Sequence, residues 1–131
     1  MQGQSIRWLR VLLIGIAAEF GLMLVVAPLY LIGGQEAVNL GVAPATLVVF
    51  IPFGIWVARP LKDRFVLHGV LMGAAAVVFY NVMNFGATSV PGAPPLNVAQ
   101  LFSPLYLLSH VFKLVGGGIG GWLASRRRQP A

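Results

Sequence analysis

Three ionisable side chains lie inside long apolar runs of this sequence, where a charge is costly. Glu19 lies within the run from Val11 to Ile32, and His110 and Lys113 are spaced i, i+3 in a later run. A lysine at the centre of a membrane-spanning helix costs about 2.5–3.5 kcal/mol on the insertion scale. Residues kept at that cost are candidates for a relay of protons or substrate. We therefore predict a polar pathway through Glu19, His110 and Lys113.

The same side chains also have a structural interpretation, since buried polar groups often only hold helices together. At about 1.5 Å per residue, Glu19 lies about 14 Å from Arg10, and Lys113 lies about 20 Å from Arg126. Side chains lean toward the N-terminus of their own helix, which widens that difference in depth. We therefore expect a direct Glu19–Lys113 pair to be disfavoured, with a water molecule or a polar residue bridging the two.

Polar residues at the outer end of the third apolar run extend the predicted pathway. They are Tyr80, Asn81 and Asn84, with Asn84 spaced i, i+3 and i, i+4 from the other two. These side chains either line an outer cavity with His110 or hydrogen-bond across helices for about 1 kcal/mol each. The last apolar run has polar residues on the outer half of one helical face and small residues on its inner half. This face predicts an outer cavity that narrows to a close helix contact.

Glycines at four-residue spacing mark faces where helices can approach closely. The pairs are Gly69 with Gly73, Gly116 with Gly120, and Gly117 with Gly121. Such GxxxG spacing lets two backbones pack together in a membrane. Residues 116–121 also match G-x-G-x-x-G, but a dinucleotide fingerprint needs a strand before it and a helix after it. We interpret these glycines as packing contacts, within the chain or between copies.

The composition places most of the chain in lipid. Hydrophobic residues make up 58% and charged residues 9%, with a mean hydropathy of +0.85, whereas soluble domains carry about a quarter charged residues. The net charge of +6 is clustered beside apolar runs, which favours an anionic membrane face over nucleic acid. The chain has no cysteine and no cluster of metal ligands or nucleophiles. We therefore predict no metal site, no cofactor and no catalytic residue.

Four apolar runs predict an all-α, four-helix transmembrane bundle that forms one domain over residues 1–131. The spans are placed at about 8–32, 40–58, 65–85 and 98–124. Asn97 and Gln100 have the form of a capping box, so the last helix can begin at Val98. Pro104 leaves two options, a kink inside that helix or a short separate turn before a span that begins there.

The basic residues predict the orientation of the bundle. Of the nine Lys and Arg residues, all but Lys113 fall on one side of the four-span arrangement: Arg7, Arg10, Arg59, Lys62, Arg64, Arg126, Arg127 and Arg128. The positive-inside rule then places both termini in the cytoplasm, in a multi-pass protein of the cell membrane.

These features predict a small transporter or channel-like protein. Since four spans enclose little volume, we expect a homo-oligomer or a larger membrane partner to complete its transport path. The alternative is a non-catalytic membrane subunit or assembly factor whose buried polar residues are structural. An intramembrane enzyme has no support beyond the same three ionisable residues.

Overall fold

The computed structural model describes residues 5–127, and within that range all regular structure is helical. Helix α1 spans Trp8–Ala58, α2 spans Phe65–Ala87, α3 spans Val98–Leu101 and α4 spans Pro104–Arg126. By length and composition, α1, α2 and α4 can each cross a membrane. Arg128, predicted to belong to the basic cytoplasmic side, lies outside the described residues.

Helix α1 is interrupted at Gly34, whose backbone angles are φ 63° and ψ −157°. That region of backbone conformation is essentially restricted to glycine. It divides α1 into a first arm (residues 8–33) and a second arm (residues 35–58). The Arg10 guanidinium donates to the carbonyl oxygens of Trp56 at 2.6 Å and Val57 at 3.1 Å. The start of the first arm therefore lies beside the end of the second, and α1 is an antiparallel hairpin.

The hairpin also changes the predicted connection between the first two apolar runs. Residues 33–39 fall between the first two predicted spans, yet all but Gly34 are helical. One glycine with a positive φ reverses the chain, so the flanking residues can stay in the two arms. At about 1.5 Å per residue, each arm is long enough for about 30 Å of hydrocarbon.

Helices α2 and α4 pack against this hairpin and against each other. The start of α2 meets the start of the first arm, where the Arg7 amide donates to His68 Nε2 at 3.3 Å. The end of α4 lies against the start of α2. The two are so close that a side chain at Gly121 would clash with the Phe65 carbonyl oxygen. We call this the basic end, since it gathers Arg7, Arg10, Arg59, Arg64, Arg126 and Arg127. The opposite end, with Gly34 and residues 88–97, is the distal end.

The approach to α4 settles the two options for Pro104. The side chain of Asn97 accepts a hydrogen bond from the Gln100 amide at 3.1 Å, which caps the short α3 helix. Pro104 then begins α4, where its missing amide hydrogen costs no helical hydrogen bond. The separate turn is therefore the correct option.

Candidate functional site

Glu19 and Lys113 form a direct ion pair at the centre of the bundle. Lys113 Nζ lies 2.8 Å from Glu19 Oε2 and 3.0 Å from Oε1, and each side chain is 2% exposed. Burying either charge alone would be strongly unfavourable, whereas a bonded pair offsets much of the desolvation. The packing of the first arm fixes the position of the Glu19 carboxylate. Val11, Ile14, Ala18 and Leu22 are buried on the same side of that helix.

The expectation that a direct Glu19–Lys113 pair is disfavoured is wrong. That expectation compared the depths of the two residues, each taken as a distance along a straight helix from the nearest flanking arginine. The tilt and relative shift of the helices do not enter such an estimate. The lysine also has a flexible four-carbon stem that can cover a difference in depth. The structure therefore needs no bridging residue between the two charges.

Two aromatic rings lie near the ammonium group of Lys113. Its Nζ lies 4.6 Å from the centroid of the Tyr80 ring and 6.0 Å from that of Phe50. A cation over an aromatic face is attracted by the ring quadrupole, more strongly where water is excluded. Tyr80 thus belongs to the immediate surroundings of the pair.

His110 lies one helical turn before Lys113 and packs edge-on against Tyr80, with 5.4 Å between the ring centroids. Its Nδ1 atom is buried and makes no hydrogen bond within residues 5–127. A buried polar atom without a partner is uncommon in proteins and costs free energy. His110 also lines the cavity described next.

A cavity of about 310 Å³ extends from the ion pair toward the distal end. Glu19, Lys113, Ser109 and His110 lie at its floor and along one wall. The remaining lining residues are apolar or aromatic and come from both arms of α1, α2 and α4: Leu22, Met23, Val26, Ala27, Val38, Val42, Tyr80 and Tyr106. We call it the central cavity.

A second pocket, of about 350 Å³, lies between the end of α2 and the segment that leads into α4. We call it the vestibule. Its lining includes the polar residues Asn84, Thr88, Asn97 and Gln100. Tyr80 and Tyr106 line both the vestibule and the central cavity, and their ring centroids are 6.2 Å apart. The two tyrosines therefore stand between the two spaces.

The two asparagines predicted on the pathway are separated by the structure. Asn84 lines the vestibule, and its amide donates to the Tyr80 carbonyl oxygen at 2.8 Å. Asn81 lines a different pocket, on a face shared with Val77 and Phe85, and its amide donates to the Val77 carbonyl oxygen. Of the two, only Asn84 is brought near the proposed path.

Toward the basic end, glycine contacts close the space below the ion pair. A side chain at Gly69 or Gly117 would clash with the backbone of the other residue, and one at Gly73 would clash with the Lys113 carbonyl. On the other side of α4, Gly116 and Gly120 lie against the second arm near Leu47, Phe50 and Ile51. Backbone therefore meets backbone on both sides of residues 116–121, and the pocket beside this half of α4 lies beyond them, lined by Ile55, Arg59, Ala124 and Arg127.

Sequence reasoning missed several residues that shape the site. Thr46 and Ser109 are both buried, and their hydroxyl oxygens are 3.0 Å apart, which joins the second arm to α4. Tyr106, which shares the predicted polar face of the last helix with His110 and Lys113, lines the central cavity. His68 is fully buried, and its Nδ1 lies 2.9 Å from the Arg64 carbonyl oxygen.

The fold and site define an all-helical protein whose long apolar helices are compatible with a membrane. The sequence matches no protein-family model, and no curated protein or solved structure is significantly similar to it. Its function therefore has to be argued from its own geometry.

Proposed function

We propose that this protein is a small multi-pass membrane transporter, with a polar pathway that runs from the distal end to the Glu19–Lys113 pair. The observation that carries the proposal is the position of this pair at the floor of the central cavity. Ionisable residues placed inside a membrane and facing a cavity are typical of substrate and proton paths. A pair that served packing alone would have no need of that space.

The route begins at the vestibule and passes Tyr80 and Tyr106 before it reaches the central cavity. Tyr106 is held by Gln100, whose amide donates to the phenol oxygen at 3.2 Å. Below the pair, the glycine contacts block further passage. This arrangement fits an outward-open state, in which protonation of Glu19 from the cavity would neutralise its carboxylate and release Lys113.

In the proposed topology the two arms of α1 each span the membrane, so that four helices cross it and both termini face the cytoplasm. The antiparallel hairpin and the gathering of Arg residues at one end support this arrangement. The chain has no native cysteine, so single cysteines report position cleanly. We expect an impermeant maleimide to label Ser89→Cys from outside intact cells and Ser5→Cys only after lysis.

Flux in proteoliposomes tests the transport proposal. The purified chain is reconstituted and assayed across a panel of ions and neutral solutes, with an internal pH dye to follow protons. We expect a proton-coupled flux that Glu19→Gln abolishes. Glu36→Gln is the matched control, because Glu36 is exposed at the distal end, and it should leave the flux unchanged.

A loss of flux counts only where the variant is folded, so each is checked by size-exclusion chromatography and thermal unfolding. The exchange variant Glu19→Lys/Lys113→Glu keeps the pair but reverses its direction, so a structural pair tolerates it and a directional relay does not. A folded Glu19→Gln protein with unchanged flux would contradict the proposal.

A path completed by a homo-oligomer should appear as a multiple of 14.0 kDa in light scattering.

The second candidate is a non-catalytic membrane subunit or assembly factor. The hydrogen bonds of the pair favour this candidate, because Lys113 donates to both carboxylate oxygens of Glu19. On this proposal the wild-type chain co-purifies with a stoichiometric larger partner in mild detergent. The apolar double variant Glu19→Leu/Lys113→Met should keep that partner, whereas it would stop a transporter.

A further inference from the structure

We infer that the central cavity binds a neutral, largely apolar small molecule that carries a hydrogen-bonding group. The inference rests on the proposed function only in taking this molecule as the transported substrate. Binding itself depends on the cavity and can be measured without any flux.

The charges in the cavity argue for a neutral occupant. Glu19 and Lys113 are bonded to each other, so their opposite charges cancel at the floor. Tyr80 and Tyr106 are polar but uncharged, and most of the remaining lining is aliphatic. An ion that entered would have to be desolvated against apolar walls or break the existing pair, and either step is unfavourable.

The size of the cavity limits the molecule to about two fused rings. An apolar protein cavity of about 150 Å³ can hold one benzene, and the central cavity has about 310 Å³. Tyr80 and Tyr106 present aromatic rings to this space, and aromatic pairs gain free energy beyond their buried area. A bicyclic aromatic body therefore fits both the volume and the walls.

The hydrogen-bonding group follows from His110. Its Nδ1 is buried and has no partner within the part of the chain that the structure describes. In the tautomer that carries its proton on Nε2, this nitrogen accepts a hydrogen bond, so a hydroxyl on the ligand would satisfy it. A phenol-like molecule matches the volume, the neutrality and this unpaired atom together.

Equilibrium dialysis of four naphthalene probes tests the inference, with the protein in nanodiscs and empty nanodiscs subtracted. The probes are 2-naphthol, naphthalene, 2-naphthylmethylammonium and 2-naphthoate. We expect saturable binding of 2-naphthol, with naphthalene weaker by about threefold to tenfold, which is the contribution of one hydrogen bond. The two charged probes should show no saturable binding.

Matched variants locate the site. Val42→Trp fills the cavity from the second arm, and Ala27→Phe fills it from the first, so both should abolish the binding of 2-naphthol. Val48→Trp is the control, since Val48 is on the same arm as Val42 but 68% exposed. His110→Phe should remove the advantage of 2-naphthol over naphthalene, and His110→Gln, which keeps an acceptor, should retain part of it.

Three results would overturn the inference: no saturable binding of 2-naphthol, tighter binding of a charged probe, or unchanged binding in both folded cavity-filling variants. The last would place the probe in lipid or elsewhere on the protein. Binding of 2-naphthol without any flux would leave the inference standing and contradict transport. Flux of another solute, with no binding of 2-naphthol, would support transport and contradict the inference.

Discussion

The two halves of α4 pack against the same neighbours in different ways. From Gly116 to Gly121, toward the basic end, the helix lies so close to α2 and to the second arm that side chains at most of its glycines would meet backbone. From Tyr106 to Lys113 it carries long polar and aromatic side chains, and the central cavity lies beside it. Lys113 stands at the boundary between the two halves.

The difference shows how one helix can be both a packing element and the wall of a site. Lipid tails are as apolar as leucine, so association in a membrane depends on close van der Waals contact and on interhelical hydrogen bonds. The glycine half supplies the first and holds the neighbouring helices at a short distance. The distal half supplies the second, through the Glu19–Lys113 pair and the Thr46–Ser109 contact, while its larger side chains keep the helices apart.

The largest expected effect comes from breaking the pair at the boundary. Lys113→Met leaves Glu19 buried without a partner, which should lower the free energy of unfolding by about 3–5 kcal/mol. The measurement is unfolding in detergent micelles, followed by circular dichroism. Glu36→Gln, at an exposed position of the distal end, should change stability by about 0.5 kcal/mol or less.

The double variant Glu19→Leu/Lys113→Met sharpens this test, because it removes both charges and leaves nothing unpaired. It should recover most of the stability lost in Lys113→Met. If the double variant were as unstable as Lys113→Met, the loss of stability would not come from leaving Glu19 without a partner.

The next effect tests the glycine half. Gly117→Ala places a methyl group against the Gly69 carbonyl oxygen, so α4 and α2 must move apart. Overpacking of this kind should lower the free energy of unfolding by about 1–3 kcal/mol. Gly86→Ala is the matched control, because a Cβ there meets no atom within 4 Å. Equal effects at the two glycines would mean that close packing is not what distinguishes the basic half.

The smallest effect tests the hydrogen bond between the second arm and α4. A double-mutant cycle with Thr46→Val and Ser109→Ala should give a coupling free energy of about 0.6 kcal/mol, the average for such bonds in a membrane bundle. Unfolding in the same micelles measures all four proteins. A coupling near zero would leave the ion pair as the main polar link of the distal half.

Much of the local structure can be predicted from the sequence, because it depends on near neighbours. The apolar runs predict the long helices, Asn97 and Gln100 predict that a helix begins at Val98, and the glycine spacing predicts surfaces that can approach closely. The two options left open at Pro104 show the limit of such reasoning. A proline can either kink a helix or begin one, and only the surrounding packing decides between them.

The arrangement of the site depends on contacts between distant parts of the chain. Whether Lys113 reaches Glu19, and whether Asn81 or Asn84 faces the path, depends on the tilt, shift and rotation of each helix. Those follow from the summed packing of residues far apart in sequence, such as Gly69 against Gly117. The sequence by itself determined which residues carry charge inside the apolar helices, because composition and spacing are local properties. Only the tertiary structure decided that two of these residues form a pair beside a cavity, because that pairing is set by the close contacts among α1, α2 and α4.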